Sequence, residues 1–169
     1  MPTKSIRHPE LVEGSVQPHY CGMLPEFLNV DLELESKESL DRIAQEFGEK
    51  VHVLHNGPLQ DIPYLLAVEI YAGDDRDPES IIEAFCDLIE ALPPKAMASW
   101  RKSTARRFDI GIESATGLAK RFGALCLSLS PATLKRVSAL SAEIVITVYP
   151  PMPPEPKAQP KSKAKAKKK

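Results

Sequence analysis

The chain has no Cys-x-x-Cys pair; its three cysteines, Cys21, Cys86 and Cys126, are odd in number and far apart. That spacing excludes a thiol redox motif and a zinc knuckle, and leaves Cys86 and Cys126 to act as small hydrophobes within a helix and a strand. No apolar run approaches the roughly 20 residues needed to cross a bilayer. The opening residues, MPTKSIRHPELVEGSV, lack the apolar stretch of a secretory signal. No membrane association is expected, and cytoplasm is the default location. A phosphate loop is missing too, because in GIESATGLAKRFG the residue after Gly117 is Leu118 where a lysine should stand. Only His52 and His55 supply imidazoles to the expected domain. Three positions apart on a strand, they point to opposite faces and cannot jointly chelate a metal. No nucleophile or oxyanion-hole motif is visible, so no cofactor and no metal are expected.

What is present is charge, strongly segregated. From Glu26 to Glu90 there are 17 acids and 4 bases, a balance of −13; from Ala91 to Pro150 there are 3 acids and 9 bases, a balance of +6. Beyond Pro150, seven lysines and one glutamate add another +6, which returns the net −1 of the whole chain. Such polarity affects association and solubility more than fold.

A chain of 169 residues suits one domain with a sizeable core. Residues 1–24 show no sustained periodicity and read as a disordered leader. Their run IRHPELVEGS resembles translated palindromic repeats of bacterial genomes, which makes Met23 the expected true start, with an ordinary leader as the rival. Residues 25–150 form the expected α+β domain. Residues 151–169, PMPPEPKAQPKSKAKAKKK, read as a disordered tail with nothing to bury.

Within the domain, Leu28, Val30, Leu32 and Leu34 alternate with Asn29, Asp31, Glu33 and Glu35, a strand with one wet side. Ser36 is placed to cap a helix carrying Leu40, Ile43, Ala44 and Phe47, and Gly48 to end it. VHVLH follows as a short strand closed by a turn at Asn56-Gly57-Pro58, and Tyr64 to Tyr71 as a more buried strand. Asp77-Pro78-Glu79 starts a helix with a broad apolar stripe, and Pro93-Pro94 stops it. A further helix covers Lys95 to Ala105, with Met97 and Trp100 inward. Phe108, Ile110 and Ile112 mark a strand, as do Leu125, Leu127 and Leu129. Ser130-Pro131 repeats the cap-then-proline helix start, and Ile144, Ile146 and Val148 form the closing strand. The expected fold is a single mixed or antiparallel sheet with helices on one face, ferredoxin-like β-α-β-β-α-β plus a β-α-β extension.

The candidate site residues follow from this pattern. Asp31, Glu33, Glu35, Glu69, Asp109 and Glu113 could line an acidic sheet surface; a solvated face is the plainer reading, and cation binding or a basic partner are the alternatives. His52 could pair with Glu69 or Glu113 as acid and base. Trp100 with Arg101, Lys102, Arg106 and Arg107 could meet nucleic acid, although Trp100 at helical spacing from Met97 fits a core better. In the tail, Lys157, Lys161, Lys163, Lys165, Lys167, Lys168 and Lys169 would attract polyanions without regard to sequence.

The segment LSLSPATLKRVSALSAEIVITVYP, through Leu129, Ser130, Leu134, Val137, Leu140, Ile144, Ile146 and Tyr149, resembles the end of a bacterial domain family of unknown function. The stretch from Trp100 to Glu113 resembles a piece of similar proteins. The resemblance implies a fold and supplies no catalytic residue. Three functions compete. The first is a non-catalytic protein-interaction module of accessory or immunity type. The second is a nucleic-acid-associated protein acting through its lysine tail. The third is a small-molecule binder or enzyme with a site near His52, Glu69 and Glu113.

Overall fold

The computed structural model describes residues 24–70, 77–114 and 124–151. Strand β1 (Glu26–Ser36) leads through helix α1 (Asp41–Phe47) to the hairpin of β2 (Val51–Leu59) and β3 (Ile62–Ile70). Helices α2 (Pro78–Glu90) and α3 (Pro94–Lys102) precede β4 (Ala105–Glu113), and α4 (Pro131–Ala139) precedes β5 (Glu143–Tyr149). The strands form one mixed sheet in the order β2-β3-β1-β4-β5. The first four strands pair antiparallel, and β5 adds to β4 in parallel. The order β2-β3-β1-β4 is that of a split β-α-β unit, so the ferredoxin-like expectation holds, but the extension is shorter than expected: only α4 and β5 are added, with β5 pairing directly with β4 and no separate strand at Leu125 to Leu129.

One apolar cluster accounts for this arrangement. Val30, Leu32 and Leu34 of β1, Leu66 and Val68 of β3, and Phe108 and Ile110 of β4 alternate toward a single face of the sheet. Onto that face pack Ile43 and Phe47 of α1, Ile82, Phe85 and Ile89 of α2, Trp100 of α3 and Val137 of α4. Every helix therefore covers the same side, and the acids of the strands are left on the other. Strand β3 is buried on both faces at Leu65 to Val68, because it lies between two neighbours and carries few polar side chains.

Local chemistry sets most helix ends. Asp77 accepts a hydrogen bond from the Ser80 amide, and Ser130 accepts one from the Thr133 amide, each with proline in the first turn. Gly48 ends α1 at φ 55° and ψ −135°, a positive-φ conformation that glycine adopts without steric cost. Ser36 does not cap α1. It closes β1 and accepts from the Glu38 amide, while Ser39 accepts from the Asp41 amide. After α4 the Ala142 amide bonds to the Val137 carbonyl and the Ser141 amide to the Ser138 carbonyl, a complete Schellman closure. Ser141 provides its left-handed residue at φ 54°, a conformation that carries a steric cost for any Cβ. Ser141→Gly is expected to raise stability by about 0.5–1 kcal/mol; a urea midpoint that falls instead would show that the serine side chain contributes there.

Four expectations are corrected. Leu125, Leu127 and Leu129 are half-buried and alternate with exposed Cys126 and Ser128, but this extended segment pairs with no strand of the sheet. Cys126 is consequently exposed, whereas Cys86 is buried and its thiol is pushed up to about 11, chiefly by burial. Strand β2 runs through Asn56-Gly57-Pro58 to Leu59, and the turn falls instead on Gln60, at φ 48°. Leu28 leaves the core side, because a bulge shifts the β1–β4 register between Phe27 and Asn29. The expectations for the leader and the tail, for Tyr71 and for Gly117-Leu118 concern residues outside those described, apart from Leu24 and Pro151 at the margins. No helix among the described residues is long and apolar enough to cross a membrane.

Candidate functional site

The sheet face away from the helices carries the acids in register. Asp31 stands opposite Glu69 of β3 on one side and Asp109 of β4 on the other, and His52 of β2 lies beyond Glu69. One row across four strands therefore reads His52, Glu69, Asp31, Asp109. The next row holds Ala67, Glu33, Arg107 and Glu143, and the one after it has Glu35 between Leu65 and Ala105. At the opposite end Glu113 pairs with Glu26 and with Tyr149. Directly opposed strand residues share a face, so these carboxylates lie on one surface.

Two bulges turn that surface into a concavity. The bulge in β1 skips Leu28, and a second bulge in β2, between Val53 and His55, skips Leu54. Both leucines are thereby delivered to the acidic side, half exposed at 50% and 47%. With Tyr149 they wall a bowl of about 280 Å³, whose remaining lining is Asn29, Asp31, Glu69, Asp109 and Gly111. Gly111 leaves space in the wall; a Cβ built there would meet Tyr149 at 3.5 Å and Leu28 at 3.6 Å, ordinary contacts.

Electrostatics single out the middle carboxylate. The Asn29 amide donates to Glu69 at 2.7 Å, and the Thr147 hydroxyl donates to Asp109 at 2.7 and 2.9 Å. Asp31 sits between these two acids. Burial, reinforced by Glu69, Asp109 and Glu33, pushes its carboxyl up to about 6. Glu33 is raised as well, by burial first and then by Asp109, with Arg107 opposing. Arg107 bonds Glu35 at 2.5 Å and approaches Glu143 at 3.7 Å. Burial also raises the phenol of Tyr149, followed by Asp109, Asp31 and Glu33, which places that hydroxyl in the field of the acids. The bowl thus gathers more negative charge than its own donors compensate.

The other candidates are placed as follows. His52 and Glu69 are cross-strand neighbours, yet His52 lies outside the lining of the bowl. Glu113 is four residues along β4 from Asp109, about 13 Å at strand rise, and is likewise outside the lining. The three residues do not converge in one cavity. The basic cluster around Trp100 is dispersed. Trp100 is only 2% exposed, and its indole donates to the Leu140 carbonyl. Arg106 points to the helix side, where it donates to the carbonyls of Trp100, Ser103 and Ser141. Arg107, the next residue, faces the acids, and Lys102 pairs with Glu38. Among the described residues no three of His, Cys, Asp and Glu are grouped to hold a metal ion. Lys157, Lys161, Lys163, Lys165, Lys167, Lys168 and Lys169 lie outside the described residues.

The acids are legible in the sequence; the bowl is not. Leu28, Leu54 and Tyr149 line it only because of two bulges and the placement of β5 beside β4. Neither leaves a local pattern in the chain.

What the fold and the bowl define is a single-sheet α+β module of split β-α-β topology, with helices on one face and an acidic concavity on the other. No protein-family model matches the chain, and no curated protein and no solved structure matches it.

Proposed function

We propose that this protein is a non-catalytic interaction module, of accessory or immunity type, whose acidic sheet face receives a basic segment of a partner protein. The observation that carries this reading is the bowl itself. Its acids Glu69, Asp31 and Asp109 stand side by side, and its walls are Leu28, Leu54 and Tyr149. A lysine or arginine side chain has the matching anatomy, an apolar stem and a cationic head. A cation seated beside Asp31 would favour its ionised form and remove the mutual repulsion of the row. Nucleic acid is the weaker reading, since a phosphate backbone would be repelled by this face and only the tail would attract it.

Affinity recovery from the native cell, with and without nuclease, tests the reading. The expected partner is retained after nuclease treatment and binds through a basic segment. Glu69→Lys, which places a cation in the row, is expected to weaken that binding by at least about tenfold. Gly111→Ala, which narrows the bowl at contact distance, is expected to weaken it by a smaller factor while the fold is kept. A partner bound equally well by Glu69→Lys would sink the proposal, and one lost on nuclease treatment would favour the tail instead.

A further inference from the structure

We propose that the lysine-bearing segment after Pro151 docks in cis on the acidic sheet face of its own chain, occupying the bowl until a basic partner displaces it. This rests on the reading of that face as a receptor for basic segments, and it adds a built-in competitor.

The first support is where the chain leaves the sheet. Strand β5 ends at Tyr149, whose ring is part of the bowl wall, and Pro150 and Pro151 follow directly. The chain is therefore delivered to the rim of the concavity. The second is reach. Lys157 is six residues beyond Pro151, about 19 Å of extended polyproline-like chain at ~3.1 Å per residue. Asp109 is paired in register with Val145, four residues back along β5 from Tyr149, about 13 Å at strand rise. Lys157 is thus the first lysine able to reach the row of Asp31. Lys161 and Lys163, about 12 and 19 Å further, can continue toward Glu33 and Glu35.

The third support is charge complementarity. The face carries the row of carboxylates and, among the described residues in the registers above, one guanidinium, Arg107, already bonded to Glu35. The segment beyond Pro151 carries seven lysines and one glutamate, Glu155. Magnitude decides whether such a contact forms. A short tether gives an effective concentration on the order of millimolar. A lysine segment that would bind only at ~1 mM as a separate peptide is then bound about half the time in cis. The sequence has prolines at 150, 151, 153, 154 and 156, and proline leaves fewer conformations to be lost on docking. A partner must compete with this segment, so its apparent affinity falls by the fraction of faces left open.

The test uses the full chain. A zero-length carbodiimide cross-linker joins lysine amines to carboxylates in contact, and an equal mixture of ¹⁴N- and ¹⁵N-labelled chains separates links within a copy from links between copies. The expected result is links from Lys157, Lys161 or Lys163 to Asp31, Asp109 or Glu33 within single copies, lost at 500 mM salt. Absence of such links, or links only between light and heavy copies, would overturn docking in cis. Hexalysine, titrated onto the wild-type chain and onto a full-length chain with all seven tail lysines changed to glutamine, distinguishes this from the reading beneath it. Tighter binding by the glutamine chain, by about twofold, is expected if the tail competes and is docked half the time. Equal binding by both chains would overturn the competitor role and leave the receptor reading standing. No binding by either chain would remove the receptor reading and the competition with it.

Discussion

Replacing Trp100 by alanine is expected to lower the unfolding free energy by about 3–5 kcal/mol, the range for losing a buried tryptophan. For a domain of this size that moves the thermal midpoint down by roughly 10–15 °C. The loss comes from two sources. The ring is 2% exposed within the main cluster, so its removal leaves a cavity that fixed backbone cannot collapse around. Its indole also donates to the Leu140 carbonyl at 3.2 Å, which ties α3 to the end of α4. Trp100→Phe keeps most of the packing and loses that bond, and is expected to cost about 1–2 kcal/mol. Urea titration of the three proteins checks the order. An alanine variant no weaker than the phenylalanine one would mean that packing is not what the ring contributes.

Asp31→Asn is expected to have the opposite sign. The carboxyl of Asp31 is pushed up to about 6 from a usual value of 3.8. Between those two pH values the folded state binds the proton more tightly than the unfolded chain, so stability falls as pH rises through that window. The full shift corresponds to about 3 kcal/mol, and solvent screening of a half-buried group reduces it to roughly 1–2. Asparagine keeps the shape and removes the charge. The variant is expected to exceed the wild type by about 1–2 kcal/mol at pH 7 and to match it below about pH 4. Glu33, raised in the same direction by burial and by Asp109, leaves the variant a smaller slope of the same sign. Urea midpoints at pH 4, 5, 6 and 7 measure this. A difference that does not change with pH would show a packing effect and not a charge effect.

Read residue by residue, the chain discloses what is decided locally. Asp77-Pro78 and Ser130-Pro131 start helices because cap and proline act within one turn. Alternation in β1 assigns Asp31, Glu33 and Glu35 to the wet side because side chains on a strand alternate regardless of neighbours. Leu125 to Leu129 shows the limit of that signal. Its leucines do face the protein, but alternation records a dry side and says nothing about a pairing partner. Asn56-Gly57-Pro58 shows another limit, since turn-forming residues were carried through as strand while Gln60 took the positive φ. Arg106 and Arg107 form one basic patch only if the strand begins at Phe108. Once β4 starts at Ala105, consecutive residues must diverge to opposite faces. The bowl was beyond reach for a different reason. It needs the order β2-β3-β1-β4-β5 and two bulges, and these are set by contacts between residues distant in sequence.

The position of β1 in that order also governs when the domain can form. Among the described residues it is the first strand made and the middle strand of the finished sheet, paired with β3 roughly 30 to 40 residues later and with β4 roughly 70 to 90 later. Val30, Leu32 and Leu34 therefore lack their ladder on the β4 side until residues up to 110 have been synthesised. Early hairpins cannot relieve this, because the one local pairing, β2 with β3, does not include β1. The sheet closes late and over long loops, a topology that folds slowly for its size and leaves the apolar face of β1 waiting on the growing chain.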